Sequence, residues 1–276
     1  MSMPSSHDRI VFIGGGNMAG ALIGGLIARG TPAASLAAVD PSAAQREALA
    51  ARFGIATHAS GDAAALSAEV VVLAVKPQQM REAVAAIAPR IADQLVLSVA
   101  AGVRATDLSR WLGGYPRIVR TMPNTPAMVG LGATGLAALP GAGEADRRRA
   151  EAILQTVGTT VWVDDEARLD AVTALSGSGP AYVFRFIESM IAGGVALGLT
   201  PEQARALTLQ TVRGAAELAV RSDEPPSVLR ERVTSKGGTT AAALAVLDAR
   251  GLPAIVADAM AAANTRSEEL GREFGG

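Results

Sequence analysis

The sequence predicts an α/β protein in two parts, a doubly wound parallel sheet followed by a region built only of helices. Three observations carry that prediction. Short apolar runs of strand length alternate with helical patterns up to Asp164, a glycine-rich turn follows the first run, and no convincing strand occurs from Asp165 onward. At 276 residues the chain exceeds one average domain, and its 49% hydrophobic content, rich in alanine and only 3% aromatic, suits close helix packing.

The elements follow in order. Arg9–Ile13 reads as a buried strand, and Gly14–Ala19 as a turn opening a helix that runs to about Arg29, where Gly30 ends it. Leu36–Val39 is a second strand, and Ser42–Phe53 a helix with apolar positions at Ala43, Ala44, Leu49, Ala50 and Phe53. Val70–Ala74 and Leu95–Ser98 are continuously apolar, as strands covered on both faces are; between them lies the helical pattern Pro77–Ile91, with Pro77 suited to a first turn. Arg117–Met122 and Gly132–Ala138 read as strands around the turn Pro123–Pro126, and a helix Glu144–Val157 and a strand Thr160–Val163 complete the sheet.

The domain boundary is therefore expected after Asp164, giving residues 1–164 and 165–276. The second part has helical segments at 165–175, 180–197, 201–221, 226–233, 239–249 and 252–273. Thr200, Pro201 and Gln203 form a capping-box pattern at the start of the third. Pro180–Leu199 is apolar nearly all round, interrupted by Arg185, Glu188 and Gly193–Gly194, which points to burial between subunits; the alternative is the core of a monomeric domain.

Composition excludes several classes. The net charge is −1 and no basic run is present, so nucleic acid is not an expected partner. There is no cysteine, hence no disulfide framework or thiol ligand, and no histidine or carboxylate cluster suggests a metal. No apolar stretch approaches the roughly 18 residues of a membrane span, and Met1–Asp8 lacks a signal peptide's apolar core, so a cytoplasmic protein without a membrane partner is expected. The two lysines, Lys76 and Lys236, both fall in motifs discussed below.

Gly14-Gly15-Gly16-Asn17-Met18-Ala19 fits the G-x-G-x-x-A dinucleotide fingerprint, with a strand before it and a helix after it. Gly14 allows the tight turn, Gly16 lets the backbone approach a pyrophosphate, and Ala19 permits close packing on the sheet, while amides at the helix start hold the anion. The alternative is a turn that binds another phosphate, or nothing. Asp40 ends the second strand about 20 residues on, where an acidic side chain accepts hydrogen bonds from the adenosine ribose, which favours NADH. Arg46 and Ser42 lie where they would accommodate the extra phosphate of NADPH, and Asp40-Pro41-Ser42 has a simpler reading as a helix cap.

Five further segments narrow the choice: Ala74-Val75-Lys76-Pro77, Ser98-Val99-Ala100-Ala101-Gly102-Val103, Arg120-Thr121-Met122-Pro123-Asn124-Thr125-Pro126, Leu175-Ser176-Gly177-Ser178-Gly179-Pro180-Ala181-Tyr182 and Thr234-Ser235-Lys236-Gly237-Gly238-Thr239-Thr240. In order and spacing, from Ile10 to about Glu269, the chain resembles pyrroline-5-carboxylate reductase. The resemblance implies a Rossmann-type sheet with a helical dimerisation domain, and reduction of 1-pyrroline-5-carboxylate to proline by NADPH or NADH. Ala74, Val75, Lys76, Pro77, Ala100, Ala101 and Asn124 are then cofactor-side positions, with Asn124 toward the nicotinamide. Gly238, Thr239 and Thr240 contact the substrate, whose carboxylate the following helix start would seat, and Thr240 donates near the ring nitrogen. Capping of that helix by Thr239 or Thr240 is the plainer alternative. The resemblance also implies an interlocked homodimer, with an active site between one subunit's sheet domain and helical residues that include the partner's, and dimers that associate further. The chain departs from many family members at Lys236, where they have proline, and at Asp40, where many have serine or a neighbouring polar residue.

His7 and His58, the latter read as lying in a loop, are not credible acid catalysts. A cyclic imine takes its proton from solvent, so the expected mechanism is positioning. Two rivals remain: a β-hydroxyacid-type dehydrogenase, which resembles its relatives in using a catalytic lysine on an interdomain helix that Pro180–Leu199 does not supply, and a nucleotide sensor without turnover.

Overall fold

The computed structural model describes residues 8–62 and 66–276; His7 lies outside them. It divides into two compact units, residues 1–178 with 263–276, and residues 179–262.

The first unit is built on eight strands: β1 (Ile10–Ile13), β2 (Leu36–Val39), β3 (Ala56–His58), β4 (Val70–Leu73), β5 (Leu95–Ser98), β6 (Ile118–Met122), β7 (Gly132–Ala138) and β8 (Gly158–Trp162). They lie in the order β3-β2-β1-β4-β5-β6-β7-β8. Every residue of β1, β4 and β5 is buried, because helices cover both faces. Alternation splits them between two cores. Ile10, Phe12, Val70, Val72, Leu95 and Leu97 face one, with Leu22 and Leu26 of α1 (Asn17–Ala28) and Ile153 of α5 (Glu144–Leu154). Val11, Ile13, Val71, Leu73 and Val96 face the other, with Met80 and Val84 of α3 (Pro77–Ile87) and Leu108 of α4 (Ala105–Trp111). A further helix, α2 (Ala43–Phe53), begins at Ser42, whose side chain accepts from Gln45 N–H, and ends at Gly54 with φ 68°.

The sheet is not wholly parallel as expected: β6 and β7 run antiparallel, and β8 then pairs parallel with β7. The connection 123–131 is shorter than the dozen or so residues a parallel crossover needs, so the chain must turn back. One strand and one α-helix escaped the sequence reading. β3 corrects the loop expected around His58, and α4 fills the stretch between β5 and β6. The helix expected to Ile91 stops at Ile87 in a 3-10 turn, Ala88–Arg90, because Pro89 has no N–H to continue the ladder.

Beyond Trp162 the described residues hold no strand. α6 (Arg168–Val172) passes into a π turn, Thr173–Gly177, and both stay with the sheet unit: Leu169 and Asp170 are buried, and Asp170 accepts from Ser267 Oγ at 2.6 Å. The helical unit holds α7 (Gly179–Ala196), α8 (Pro201–Arg221), α9 (Pro226–Arg232), α10 (Thr239–Ala249) and the first half of α11 (Leu252–Gly275). α8 starts in the expected capping box, with Gln203 N–H donating to Thr200 Oγ1 at 3.2 Å and Thr200 N–H to Gln203 Oε1 at 3.0 Å. α7 and α8 pack together, yet no residue of α7 is buried and only Ala204 and Thr208 of this unit are.

Candidate active site

The cofactor-side segments converge on one edge. The glycine loop leaves β1, Asp40 follows β2, Ala74–Pro77 follow β4, Ala100 and Ala101 follow β5, and Asn124 follows β6. These strands are parallel neighbours, so all five segments lie at their carboxyl ends, with β1 and β4 at the point where the winding reverses.

Gly14 stands at φ 97° with its N–H on Val39 O at 2.8 Å, and a Cβ there would lie 2.8 Å from the carbonyl carbon and oxygen of Ala74. Gly16 differs. It is exposed, a Cβ on it would meet nothing, and it caps α1 with no side-chain bond. The amides of Asn17, Met18 and Ala19 consequently have no partner among the described residues. Open space before a glycine and three free amides fit a pyrophosphate. Ala19 itself is fully buried against the sheet, and Met18 is partly so.

Asp40 is already engaged. Its Oδ2 accepts Gly15 N–H at 2.8 Å and its Oδ1 accepts Ser42 N–H at 2.9 Å, while Ser42, not Asp40, caps α2. Gln45 Nε2 donates to Gly15 O from the first turn of α2, a brace that sequence reasoning missed. Lys76 is exposed at the start of α3, with Pro77 in the first turn; Val75 packs toward Gly14, and Ala100 is buried beside the half-buried Ala101. Gly102, at φ 71°, lies against Leu270 and Phe274 of α11.

Asn124 is buried and joins two backbones: its Oδ1 accepts Ala133 N–H at 2.9 Å and its Nδ2 donates to Ser176 O, in the π turn, at 3.0 Å. π turns are rare and concentrate at functional sites. Beneath it Arg120, 3% exposed, pairs with Glu166 at 3.0 Å, and Glu166 also accepts Ala105 N–H at 2.6 Å. An arginine inside an apolar strand was the available signal for such a partner.

The predicted substrate residues belong to the helical unit. Gly237 turns at φ 72°, Gly238 N–H donates to Ser235 O at 3.0 Å, and α10 begins at Thr239 with Gly238 as its uncapped N-cap. Neither threonine caps the helix. The hydroxyls of Thr239 and Thr240, and the amides of Thr239, Thr240 and Ala241, have no partner among the described residues. Tyr182 Oη is likewise buried without one.

A cavity of about 380 Å³ opens at the other, amino edge of the strands, lined by Glu69, Asp93, Gln94, Arg117 and Arg149 among others. Its arginines are neutralised, Arg117 by Asp146 at 2.8 Å and Arg149 by Asp8 at 2.8 Å, so it offers an anion no surplus charge. Among the described residues no group of three or more acidic or histidine side chains is placed to hold a metal, and no single helix is long and apolar enough to cross a membrane.

Residues 166–270 match the family described as pyrroline-5-carboxylate reductase dimerisation, and residues 9–102 match the one described as NADP oxidoreductase, coenzyme F420-dependent. The pyrroline-5-carboxylate reductase of Pseudomonas aeruginosa is 48% identical, over 98% of this chain and 99% of its own. The solved pyrroline-5-carboxylate reductase of Coxiella burnetii superposes with a TM-score of 0.90 at 40% identity, covering 95% of this chain and 98% of its own. The Plasmodium falciparum pyrroline carboxylate reductase, solved with NADP bound, gives a TM-score of 0.85 at 30% identity, covering 98% of this chain and 100% of its own. With relatives this similar matched over nearly its whole length, the chain belongs to the pyrroline-5-carboxylate reductase family.

Proposed function

We propose that the chain reduces 1-pyrroline-5-carboxylate to L-proline with NADPH or NADH, the last step of proline biosynthesis. The reduced nicotinamide, when bound, supplies the hydride that the imine carbon accepts. The observation that carries the reading is the start of α10: free amides and two free threonine hydroxyls behind a glycine turn make a seat for a carboxylate bearing a ring nitrogen.

The chain's own residues act by positioning. Asn17, Met18 and Ala19 present amides to the pyrophosphate, and Gly14 brings the Ala74–Pro77 turn against the same loop. Lys76, exposed at the start of α3, offsets cofactor charge. Ala100 and Ala101 line the cofactor side, and Asn124 holds the turn that faces the nicotinamide. Gly238, Thr239 and Thr240 fix the substrate. The ring nitrogen takes its proton from solvent, and the Thr240 hydroxyl orients the nitrogen or relays that proton. Residues 1–164 thus serve the cofactor and residues 165–276 the substrate and dimerisation, in a cytoplasmic homodimer that associates further and has no nucleic acid or membrane partner.

The seat is tested with 1-pyrroline, the same ring without its carboxylate. Losing charge-assisted hydrogen bonds should lower kcat/KM by about tenfold to a hundredfold relative to pyrroline-5-carboxylate. Equal turnover of the two imines would remove α10 from the site.

A further inference from the structure

The turn after β5 has little hydrogen bonding of its own. Val99 N–H donates to Leu73 O at 3.1 Å, Ala100 N–H reaches Ser98 Oγ only at 3.4 Å, and from Ala101 to Arg104 no amide has a partner among the described residues. The far end is tied by Glu166, which accepts Ala105 N–H at 2.6 Å. Between those ties the shape of the turn is left to packing. Gly102, at its middle, is buried and stands at φ 71°, and a Cβ there would lie 3.1 Å from the Phe274 ring and 3.2 Å from Leu270 Cβ.

Both of those side chains come from the last turns of α11, in the part of that helix that belongs to the sheet unit. Ser267, Leu270, Gly271, Phe274 and Gly275 recur at i, i+3, i+4, i+7 and i+8, which is one face of a helix. That face is fastened on either side of Gly102. Ser267 Oγ donates to Asp170 Oδ1 at 2.6 Å with both residues buried, and Arg110 donates to Gly275 O. Gly271 weakens the helix as any interior glycine does, but the Arg104 guanidinium needs its space: a Cβ would stand 3.1 Å from Arg104 Nε. Phe274 itself packs on the core that holds Val103, Ala105 and Leu108, the residues that follow the turn.

Ala100 and Gly102 are buried and Ala101 between them is half-buried, so a shift of Gly102 moves the one residue of the turn that is open to a ligand. We propose that Phe274, with Leu270 beside it, is a positioning residue for Ala100–Gly102, so that the last turns of α11 set how firmly the reduced cofactor is held and how its nicotinamide is presented; this rests on the reading of that turn as cofactor-lining.

Titration of the full chain with NADPH and NADH, followed by nicotinamide fluorescence, reads the turn without the imine, and steady-state kinetics with racemic pyrroline-5-carboxylate then read the chemistry. F274A should raise the dissociation constant of the reduced cofactor by about tenfold and lower kcat at saturating cofactor by about tenfold or more, with KM for the imine changed by no more than about twofold. F274L keeps an apolar side chain against Gly102 and should recover most of both losses. I87A, in the same core but at the far end of α3, should lower the melting temperature and leave cofactor affinity within about twofold. Unchanged cofactor affinity in a folded F274A chain, or an equal loss in I87A, overturns the proposal and leaves the reductase reading intact. A wild-type chain that binds cofactor but does not reduce the imine sinks the reductase reading alone, because the titration still decides the role of Phe274. Binding of neither cofactor overturns both. L270A repeats the test from the other side of Gly102 and decides it if thermal melts show F274A unfolded.

Discussion

Gly14 and Gly16 sit two residues apart in one loop and are there for different reasons. Gly14 combines a left-handed φ of 97° with a close approach to the Ala74 peptide, so G14A should lower the unfolding free energy by roughly 1–3 kcal/mol. Gly16 has φ −70° and open space before it, so G16A should melt as the wild type does while its cofactor dissociation constant rises by about tenfold or more. Thermal melts and cofactor titrations of the two variants, run side by side, check the contrast; identical behaviour would mean the loop holds no pyrophosphate. At the substrate end, T240V keeps shape and removes the hydroxyl. Its kcat/KM should fall by about tenfold to a hundredfold, with cofactor binding unchanged.

Element by element, the sequence foretold most of the fold because the signals were local. β2, β5, β7, α8 and α10 have the bounds that apolar runs, caps and glycines indicate. β3 was missed because Ala56-Thr57-His58 carries no apolar run, and α4 because seven residues give barely two turns, although the buried Ala105, Leu108 and Leu112 have helical spacing. The reversal of β7 followed from loop length, which was readable and went unread. The candidate site divides in the same way. The glycine loop and the turn before α10 are written in contiguous residues. The engagement of Asp40 by Gly15, the Arg120–Glu166 pair and the Asn124–Ser176 bond join residues far apart in sequence, which one sequence without its fold does not reveal. The capping box of α8 is testable at this scale: T200A should cost about 1 kcal/mol in urea unfolding at fixed protein concentration.

The whole molecule has two units of unlike character. The sheet unit has two deep cores, whereas the helical unit exposes Phe184, Leu207, Leu218, Val220 and Ile255, each more than half accessible in the single chain. Apolar surface on that scale marks an interaction site, and residues 166–270 match a family described as pyrroline-5-carboxylate reductase dimerisation, which suggests a second copy of this chain as the partner. The apolar helix anticipated between subunits, α7, contributes Val183, Phe184 and Phe186 to that exposed surface. F184E should therefore shift the sedimentation profile toward monomer and lower the melting temperature, an effect absent if the wild-type chain is itself monomeric.

The most direct measurement follows loss of reduced cofactor when purified chain is mixed with racemic pyrroline-5-carboxylate and NADPH or NADH, with proline quantified in the same reaction. Oxidation of cofactor matched mole for mole by proline is the predicted result. Cofactor bound but not oxidised, with no proline formed, would contradict the account and leave a nucleotide-binding protein without this activity.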